Sequence, residues 1–542
     1  MGVSAPGSQA PTHVEVVVVG AGFAGLYMLH RLRGMGIGAI CFEAAADVGG
    51  TWYHNRYPGC RCDVESLQYS YSFSMELQQE WQWTERYATQ PEILRYVQHV
   101  AERFDLRRDI RFNSRVVSAV YDERANRWRV ATDRGDVVSA RYCIMASGCL
   151  SLPRRPSIPG IESFAGEWHH TGQWPSSGVD FSAKRVGVIG TGSTGLQLIP
   201  QVAKQAAHLY VFQRTAAYSL PAKNRPMAGE AAEFNRSEQS LRDKMRMSLT
   251  GTLHHMTDQS TLSLPPDERE KVFERLWEEG GAALMYYFND VIVTEEANEA
   301  VADFVRRKIA CIVKDPATAK ALTPHHYPIG TKRICIDIDY FETYNRDNVT
   351  LVPLADDPIE EILPQGIRTA GATYNLDCLV FATGYDALTG ALLNIDIRGV
   401  HGQSLRDKWI AGPRAYLGLA SAGFPNLFMI TGPGSPSVLS NMVISIEQHV
   451  DWIAQCLEFL ASKQLNRIEP QRDSEDEWIA HVGELAGYTL FVKAASWYMG
   501  ANIPGTPRVF MPYIGGVGTY RQKCAEIAAH GYTGFELSSV HE

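Results

Sequence analysis

The chain has 542 residues, of which 45% are hydrophobic and 20% charged. This length and composition predict several domains with large buried cores and exclude a disordered chain. The 60 acidic residues outnumber the 51 basic ones, giving a formal net charge of -9, which argues against a nucleic-acid partner because such proteins need a basic surface. The 10 cysteines form no CxxC pair and show no zinc-ligand spacing, so we predict neither a disulfide framework nor a metal site.

The N-terminal residues 1–13 have neither the basic start nor the apolar core of a signal peptide. No apolar run reaches the ~18 residues that a membrane-spanning helix needs. We therefore expect a cytoplasmic protein without a membrane or nucleic-acid partner, either monomeric or weakly self-associating.

The first recognisable unit begins with an apolar, β-branched segment from Val14 to Val19. It continues into the turn Gly20-Ala21-Gly22-Phe23-Ala24-Gly25, a helical pattern and a short strand ending at Glu43. Strand, GxGxxG turn, helix and strand make up the βαβ unit that binds dinucleotides. A carboxylate about 20 residues after the first glycine accepts hydrogen bonds from a ribose diol. Glu43 therefore predicts a site for FAD or NAD.

A second unit repeats this order at Arg185 to Ile189, followed by the turn Gly190-Thr191-Gly192-Ser193-Thr194-Gly195, a helical stretch and a strand from Leu209 to Phe212. Here the strand leads to Arg214 and Thr215 instead of a carboxylate. A cation and a hydroxyl suit a 2′-phosphate, which a carboxylate would repel. The second unit therefore predicts an NADPH site.

Between the second unit and residue 330, apolar residues recur at helical spacing, whereas strand patterns return at 333–338 and 376–382. We predict an α/β fold with two Rossmann-like dinucleotide-binding domains. The FAD-binding domain comprises residues 1–150 and 385–542. The NADP-binding domain comprises 151–220 and 330–384, with a helical insertion at 221–329.

One FAD-like and one NADPH-like unit in the same chain predict that hydride passes from NADPH to a flavin. The residues leave the next electron acceptor open. A disulfide reductase needs a reactive cysteine pair, for which Cys60 and Cys62 are the candidates. An oxygenase needs a site that shelters a reactive flavin–oxygen species from water. A flavin-binding protein without catalysis is a further alternative, disfavoured by the complete NADP half.

The linker after Gly160 reads Phe164-Ala165-Gly166-Glu167-Trp168-His169-His170-Thr171-Gly172-Gln173-Trp174-Pro175. This segment matches FxGxxxHxxxWP, and the chain resembles the flavin-dependent Baeyer–Villiger monooxygenases over nearly its whole length, especially their phenylacetone- and steroid-oxidising members. The resemblance implies an NADPH- and O2-dependent enzyme that contains FAD. It would insert one oxygen atom next to a ketone carbonyl through a C4a-peroxyflavin, forming an ester or lactone. Sulfide or amine oxygenation, or uncoupled NADPH oxidation, is the alternative on the same scaffold.

The resemblance also implies roles for individual residues. Arg333 corresponds to the catalytic arginine, a permanent cation beside negatively charged oxygen, and Asp63 to the carboxylate that holds it. His170 and Trp174 are expected to couple domain movement. The implied cofactor-binding residues are Gly20, Gly22, Phe23, Ala24, Gly25, Glu43, Gly50, Thr51, Trp52, Asp63, Tyr69, Val116 and Met442 for FAD, and Gly190, Thr191, Gly192, Ser193, Thr194, Gly195, Arg214, Thr215, Lys332, Arg333 and Trp497 for NADP.

Three residues depart from the pattern of the most similar family members, namely His54, Cys60 and Cys149. None of them replaces an implied catalytic group, but each is expected to alter the surroundings of the cofactor. Residues 434–442 align with a loop that lines the ketone pocket in the family. Its glycine, proline and serine content predicts an adaptable loop. Its length matches the loop of the phenylacetone-oxidising members, and this resemblance implies a pocket for aromatic or bulky ketones.

Overall fold

The structure is a computed structural model that describes residues 12–227, 229, 238–503 and 505–540. The first eleven residues, which include most of the segment considered as a signal peptide, lie outside the described part. Two large sheets and three small ones organise the described residues. The structure confirms the predicted α/β fold with two Rossmann-like units.

The first large sheet has eight strands and holds the first glycine turn at its centre. The first strand, Thr12–Val19, is apolar along its second half and buried there, as expected for a parallel strand covered on both faces. Seven strands follow one another in the order Asp396–Arg398, Val116–Asp122, Arg127–Thr132, Val137–Met145, Thr12–Val19, Ala39–Phe42 and Ile110–Arg111, and Leu427–Met429 also pairs with Val137–Met145.

The second large sheet is entirely parallel and holds the second glycine turn. Its strands, in order, are Val349–Pro353, His208–Gln213, Arg185–Ile189, Cys378–Phe381 and Glu167–His170. All five lie within 151–220 and 330–384, while every strand of the first sheet lies within 1–150 and 385–542. The sheets are therefore arranged as the predicted domain boundaries require, although the boundaries themselves stay predictions.

The predicted strand at 333–338 was wrong in extent. Only Cys335–Asp337 is extended, and it pairs with Ser219–Pro221 in a separate two-stranded sheet. Arg333 lies outside this strand, and its side chain forms hydrogen bonds with Asp63. The other two small sheets are antiparallel. One has three strands, Ile359–Leu363, Gly366–Thr369 and Thr373–Asn375, and the other pairs Arg467–Pro470 with Phe535–Ser538.

The predicted helical insertion contains helices at Glu238–Met247, Pro266–Glu279, Ala283–Tyr286, Glu295–Ile312 and Pro316–Leu322. The other helices are Phe23–Gly34, Thr51–His54, Met75–Glu80, Gln90–Arg103, Ser193–Ala203, Tyr340–Thr343, Gly390–Leu393, Leu405–Lys408, Met442–Ser462, Arg472–Gly487 and Val517–Ala529. None of the helices in the described ranges is both long and apolar enough to cross a membrane.

Candidate active site

The two glycine turns are built alike. Gly20 and Gly190 each follow the first strand of a βαβ unit and adopt positive φ angles of 104° and 110°. A Cβ atom on Gly20 would lie 2.7 Å from the carbonyl oxygen of Ala146, and one on Gly190 would lie 2.5 Å from that of Ala382. Only glycine fits such positions. Each turn leads into a helix, Phe23–Gly34 or Ser193–Ala203, whose free N–H groups favour a pyrophosphate.

Glu43 lies directly after the second strand of the first sheet and is 6% exposed. Its Oε2 accepts a hydrogen bond from the Ala21 N–H at 2.7 Å, and its Oε1 accepts one from the Ala45 N–H at 2.7 Å. These bonds fix the carboxylate beside the glycine turn and leave lone pairs for a ribose diol. The arrangement fits FAD. Burial lowers the pKa of the nearby His54, which favours the neutral imidazole.

Arg214 and Lys332 bring two positive charges together beside the second glycine turn. Burial and the charge of Arg214 lower the pKa of Lys332, and the Lys332 ammonium lies 4.4 Å from the ring centre of Tyr327. Within the described ranges neither cation forms an ion pair with a carboxylate. The Thr191 hydroxyl donates to the Thr215 carbonyl at 3.1 Å, joining the turn to this segment. Two uncompensated cations fit the 2′-phosphate of NADP.

Arg333 and Asp63 form a bidentate ion pair. Nε of Arg333 donates to Oδ2 of Asp63 at 2.8 Å, and Nη2 donates to Oδ1 at 2.7 Å. Nη1 donates to the carbonyl oxygen of Val438 at 2.9 Å. The negative charge of Asp63 holds the pKa of Arg333 well above its usual value, and the buried Tyr498 acts in the same direction. Arg333 keeps 33% of its side-chain surface accessible, so its remaining N–H groups can reach a ligand.

Elements of both Rossmann units meet at this ion pair. Asp63 lies in the segment predicted to belong to the FAD-binding domain, whereas Arg333 lies two residues before the short strand Cys335–Asp337. The sulfur of Cys335 lies 3.1 Å from the hydroxyl of Ser193, which opens the helix after the second glycine turn. Arg333 is therefore connected, through Cys335, to the start of the helix that follows the second glycine turn.

The implied aromatic residues occupy packed positions. The Trp52 indole N–H donates to the Tyr69 hydroxyl at 3.2 Å, and their rings meet edge to face. Trp497 is half-buried with its ring centre 4.4 Å from that of Tyr498, the neighbour of Arg333. Trp52 and Tyr69 thus form one pair, and Trp497 belongs to the surroundings of the ion pair.

The remaining implied residues lie in or near the two glycine turns, except for Met442 and Val116. Gly22, Phe23, Ala24 and Gly25 form the first turn and the start of its helix, and Gly192, Ser193, Thr194 and Gly195 do the same in the second unit. Gly50 faces Gly22 across the first turn, and Thr51 follows it at the start of a short helix. Met442 opens the helix Met442–Ser462, whereas the Val116 side chain packs in the core of the first sheet.

Two groups at the site could not be singled out from sequence. The Val438 carbonyl is a backbone atom, so no residue type marks it as a partner of Arg333. Tyr498 stands next to Trp497 in the chain, and its place beside Arg333 follows from the fold. The sequence placed the loop that contains Val438 near the ketone pocket, but it did not identify the contact of Val438 with Arg333.

The cysteines do not form a redox pair. All ten are free, and Cys60 and Cys62 are buried. Burial raises the pKa of Cys60 to about 12 and that of Cys62 still further. Because the thiolate is the reactive form, these thiols are poorly suited to disulfide exchange. The geometry thus disfavours the disulfide reductase considered from sequence.

His170 and Trp174, from the linker motif, are buried. Nδ1 of His170 accepts from the Gly172 N–H at 3.0 Å, so the proton is assigned to Nε2, which lies 3.2 Å from the Arg154 carbonyl oxygen. Thr383, at the end of a strand in the second sheet, lies against the same nitrogen. His170 ends the strand Glu167–His170 of that sheet, so its ring connects the sheet to the segment at Arg154. Its role in domain movement stays a prediction.

One cluster carries metal-ligand chemistry that sequence spacing did not reveal. Glu167, His169 and Cys378 place their ligand atoms within 4.8 Å of one another on adjacent strands. The Lys184 ammonium lies 3.1 Å from the Glu167 carboxylate. Glu167 is therefore already paired with a cation that a metal ion would have to displace.

The chain was compared with known proteins. Residues 13–227 match a family described as flavin-binding monooxygenase-like. A Baeyer–Villiger monooxygenase of Pseudooceanicola batsensis is 43% identical over 524 residues, 96% of this chain and 95% of that protein. The phenazine N-monooxygenase PhzNO1 of Lysobacter antibioticus is 43% identical over 533 residues, 97% of this chain and 98% of that protein. A structure titled oxidized steroid monooxygenase bound to NADP has a TM-score of 0.94 at 50% identity and covers 98% of this chain and 100% of that chain.

The two glycine turns and these likenesses define the class of the protein, a flavin-binding monooxygenase with two Rossmann-like units. Within that class, the chain belongs to the Baeyer–Villiger monooxygenase family. The resemblance stated from the linker motif is thereby confirmed.

Proposed function

We propose that the protein is an NADPH- and O2-dependent enzyme that contains FAD and converts a ketone into an ester or lactone. The observation that carries this proposal is the Arg333–Asp63 ion pair, which lies where the two Rossmann units meet. Membership of the Baeyer–Villiger monooxygenase family supports it. Ketone choice, self-association and cytoplasmic location stay predictions.

The residues around the two turns would hold the cofactors. Glu43 would accept hydrogen bonds from the ribose of FAD, and Arg214 and Lys332 would bind the 2′-phosphate of NADPH. Bound FAD supplies the two-electron chemistry that activates oxygen.

Arg333 would stabilise negative charge on oxygen during the reaction. Its guanidinium stays protonated at every accessible pH because Asp63 raises its pKa further. Asp63 and the Val438 carbonyl fix three of its N–H groups, which orients the others without reorganisation. A fixed cation of this kind stabilises the charge that develops on the ketone oxygen.

The proposal is tested by product analysis over linear, cyclic, aryl and steroid ketones with NADPH and oxygen. We expect ester or lactone formation, and we expect Arg333→Ala to abolish it while flavin reduction by NADPH is largely retained. Arg185→Ala is the matched control, because Arg185 forms a similar bidentate pair with Asp377 at the exposed start of the central strand of the second sheet. Hydrogen peroxide as the only product from every ketone would contradict the proposal, and ester formation by Arg333→Ala would refute the role of Arg333.

Heteroatom oxygenation is the second candidate, favoured by the 43% identity to a phenazine N-monooxygenase. The same assay with phenazine and with aryl sulfides separates the two. N-oxide or sulfoxide formation together with inert ketones would replace the leading proposal.

A further inference from the structure

The loop 432–441 connects the strand Leu427–Met429 to the helix Met442–Ser462 and supplies a direct contact to Arg333. That contact is the hydrogen bond from Nη1 of Arg333 to the Val438 carbonyl at 2.9 Å. Because Asp63 holds the other side of the guanidinium, the position of Val438 determines where the remaining N–H groups point.

The loop is buried and internally hydrogen-bonded, and the adaptability expected from its composition stays a prediction. Ser435 and Ser437 are 0% exposed, and the Ser435 hydroxyl donates to the Gly432 carbonyl at 2.7 Å. The Ser440 hydroxyl donates to the Ser437 carbonyl at 2.8 Å. The serines thus satisfy polar backbone groups inside the fold instead of facing solvent.

The start of the loop is held from outside by a tryptophan. The Trp478 indole N–H donates to the Gly434 carbonyl at 3.0 Å, while the Gly434 N–H donates to the Met511 carbonyl at 2.7 Å. Trp478 is 5% exposed and stacks on Tyr513, with ring centres 5.3 Å apart and planes inclined by 15°. The Tyr513 N–H in turn donates to the Ser435 carbonyl at 2.8 Å.

The helix that carries Trp478, Arg472–Gly487, is itself anchored. Glu475 is 1% exposed and accepts hydrogen bonds from the Lys408 ammonium at 2.9 Å, the Ser421 hydroxyl at 3.1 Å and the Ala422 N–H at 2.9 Å. A buried carboxylate paired in this way fixes the helix against the first Rossmann unit. The Trp478 indole therefore projects from a helix that buried hydrogen bonds hold in place.

We propose that Trp478 is a positioning residue for Arg333, acting through Gly434, the loop 432–441 and the Val438 carbonyl. This inference rests on the proposed function, since it assigns to Trp478 the task of keeping the guanidinium aimed at the reacting oxygen. Trp478 is expected to affect how oxygen is used and not how NADPH reduces the flavin.

The test compares the holoenzymes of wild type, Trp478→Phe and Trp128→Phe. Phenylalanine keeps a ring but lacks the N–H donor. Trp128 is a matched control because its indole, also buried, donates to the Pro425 carbonyl at 2.8 Å in a different core. Three quantities are measured for each: ester formed per NADPH consumed, hydrogen peroxide released, and the rate of flavin reduction.

Trp478→Phe removes one neutral hydrogen bond, so we expect it to lower the ester formed per NADPH consumed about fivefold. The hydrogen peroxide released per NADPH should rise to match. The rate of flavin reduction should stay within about twofold of wild type, and Trp128→Phe should not change the ester yield. An unchanged ester yield in Trp478→Phe, or an equal loss of reduction rate and ester yield, would overturn the inference.

Tyr513→Leu provides a second reading if Trp478→Phe fails to fold with its cofactor. It removes the ring stacked on Trp478 and leaves the loop residues unaltered, so the same drop in ester yield is expected, and an unchanged yield would refute the inference. Wild-type enzyme that makes no ester at all would instead refute the proposed function, so the two failures are distinguishable.

Discussion

Lys332 and Arg214 are the two residues that we propose bind the 2′-phosphate of NADPH. Two half-buried or exposed cations lie together without a carboxylate partner in the described ranges, and each lowers the cost of binding a phosphate dianion. Because NADH lacks the 2′-phosphate, only the use of NADPH should depend on them.

We therefore predict that Lys332→Met lowers kcat/KM for NADPH about 10- to 100-fold, the loss expected for one charge-assisted hydrogen bond, and leaves kcat/KM for NADH nearly unchanged. Steady-state kinetics with both nucleotides measure this. Lys204→Met, at the far end of the helix Ser193–Ala203, serves as the control. Equal losses with both nucleotides would show that Lys332 has a structural role only.

At the scale of elements, His449 connects the helix Met442–Ser462 to the segment that follows the strand Leu427–Met429. Its Nδ1 accepts from the Thr431 N–H at 3.0 Å, so Nε2 carries the proton and faces the Tyr520 hydroxyl at 2.9 Å. This arrangement satisfies the neutral ring, and complete burial lowers the pKa of His449 to about 3.

An unfolded chain has an ordinary histidine pKa of about 6.5, so between pH 6.5 and 3 it binds a proton that the folded state does not. The free energy of unfolding therefore falls as the pH drops through this window. His449 alone should cost about 2 kcal/mol between pH 7 and 5.

The comparison of Tm at pH 5 and pH 7 for wild type, His449→Asn and His326→Asn checks this. The pH dependence should shrink in His449→Asn and stay unchanged in His326→Asn, because the His326 side chain is exposed. An unchanged pH dependence in His449→Asn would show that other groups govern acid stability.

At the scale of the whole molecule, the two Rossmann units touch at a glycine. Gly59 has a φ of +84°, and a Cβ atom there would lie 2.3 Å from the carbonyl oxygen of Gln197 in the helix after the second turn. Beside it, the Tyr57 hydroxyl donates to the Gln197 side chain at 2.8 Å. This close approach helps to set the distance between the predicted FAD-binding and NADP-binding domains.

We predict that Gly59→Ala slows flavin reduction by NADPH about 10- to 100-fold, since a displacement of about 1 Å has effects of this size. Stopped-flow absorbance of the flavin measures the rate. Gly178→Ala separates steric contact from backbone strain, because Gly178 also has a positive φ of 75° but no atom within 4 Å of an added Cβ. Wild-type reduction by Gly59→Ala would show that the contact does not set the distance.

The sequence by itself determined the local elements that carry their own chemical signals. Strand, glycine turn, helix and the residue after the next strand follow one another within a short stretch, so Glu43 and Arg214 were predictable from spacing. The helical insertion was also predictable, because apolar periodicity reports one buried helix face. The pairing of strands such as Glu167–His170 and Cys378–Phe381 was not, since their partners are far apart in the chain.

Only the tertiary structure decided how distant segments meet. Asp63 and Arg333 are 270 positions apart, and their pairing was implied by family resemblance and not by spacing. The sequence did not predict the contacts made by the Val438 carbonyl, the Trp478 indole and Gly59. A backbone atom or a packed ring acquires its role only from the residues that surround it in the fold. The tertiary structure also decided that the loop 432–441, although rich in glycine and serine, is buried. Hydrogen bonds within the loop satisfy polar groups that its composition alone would place in solvent.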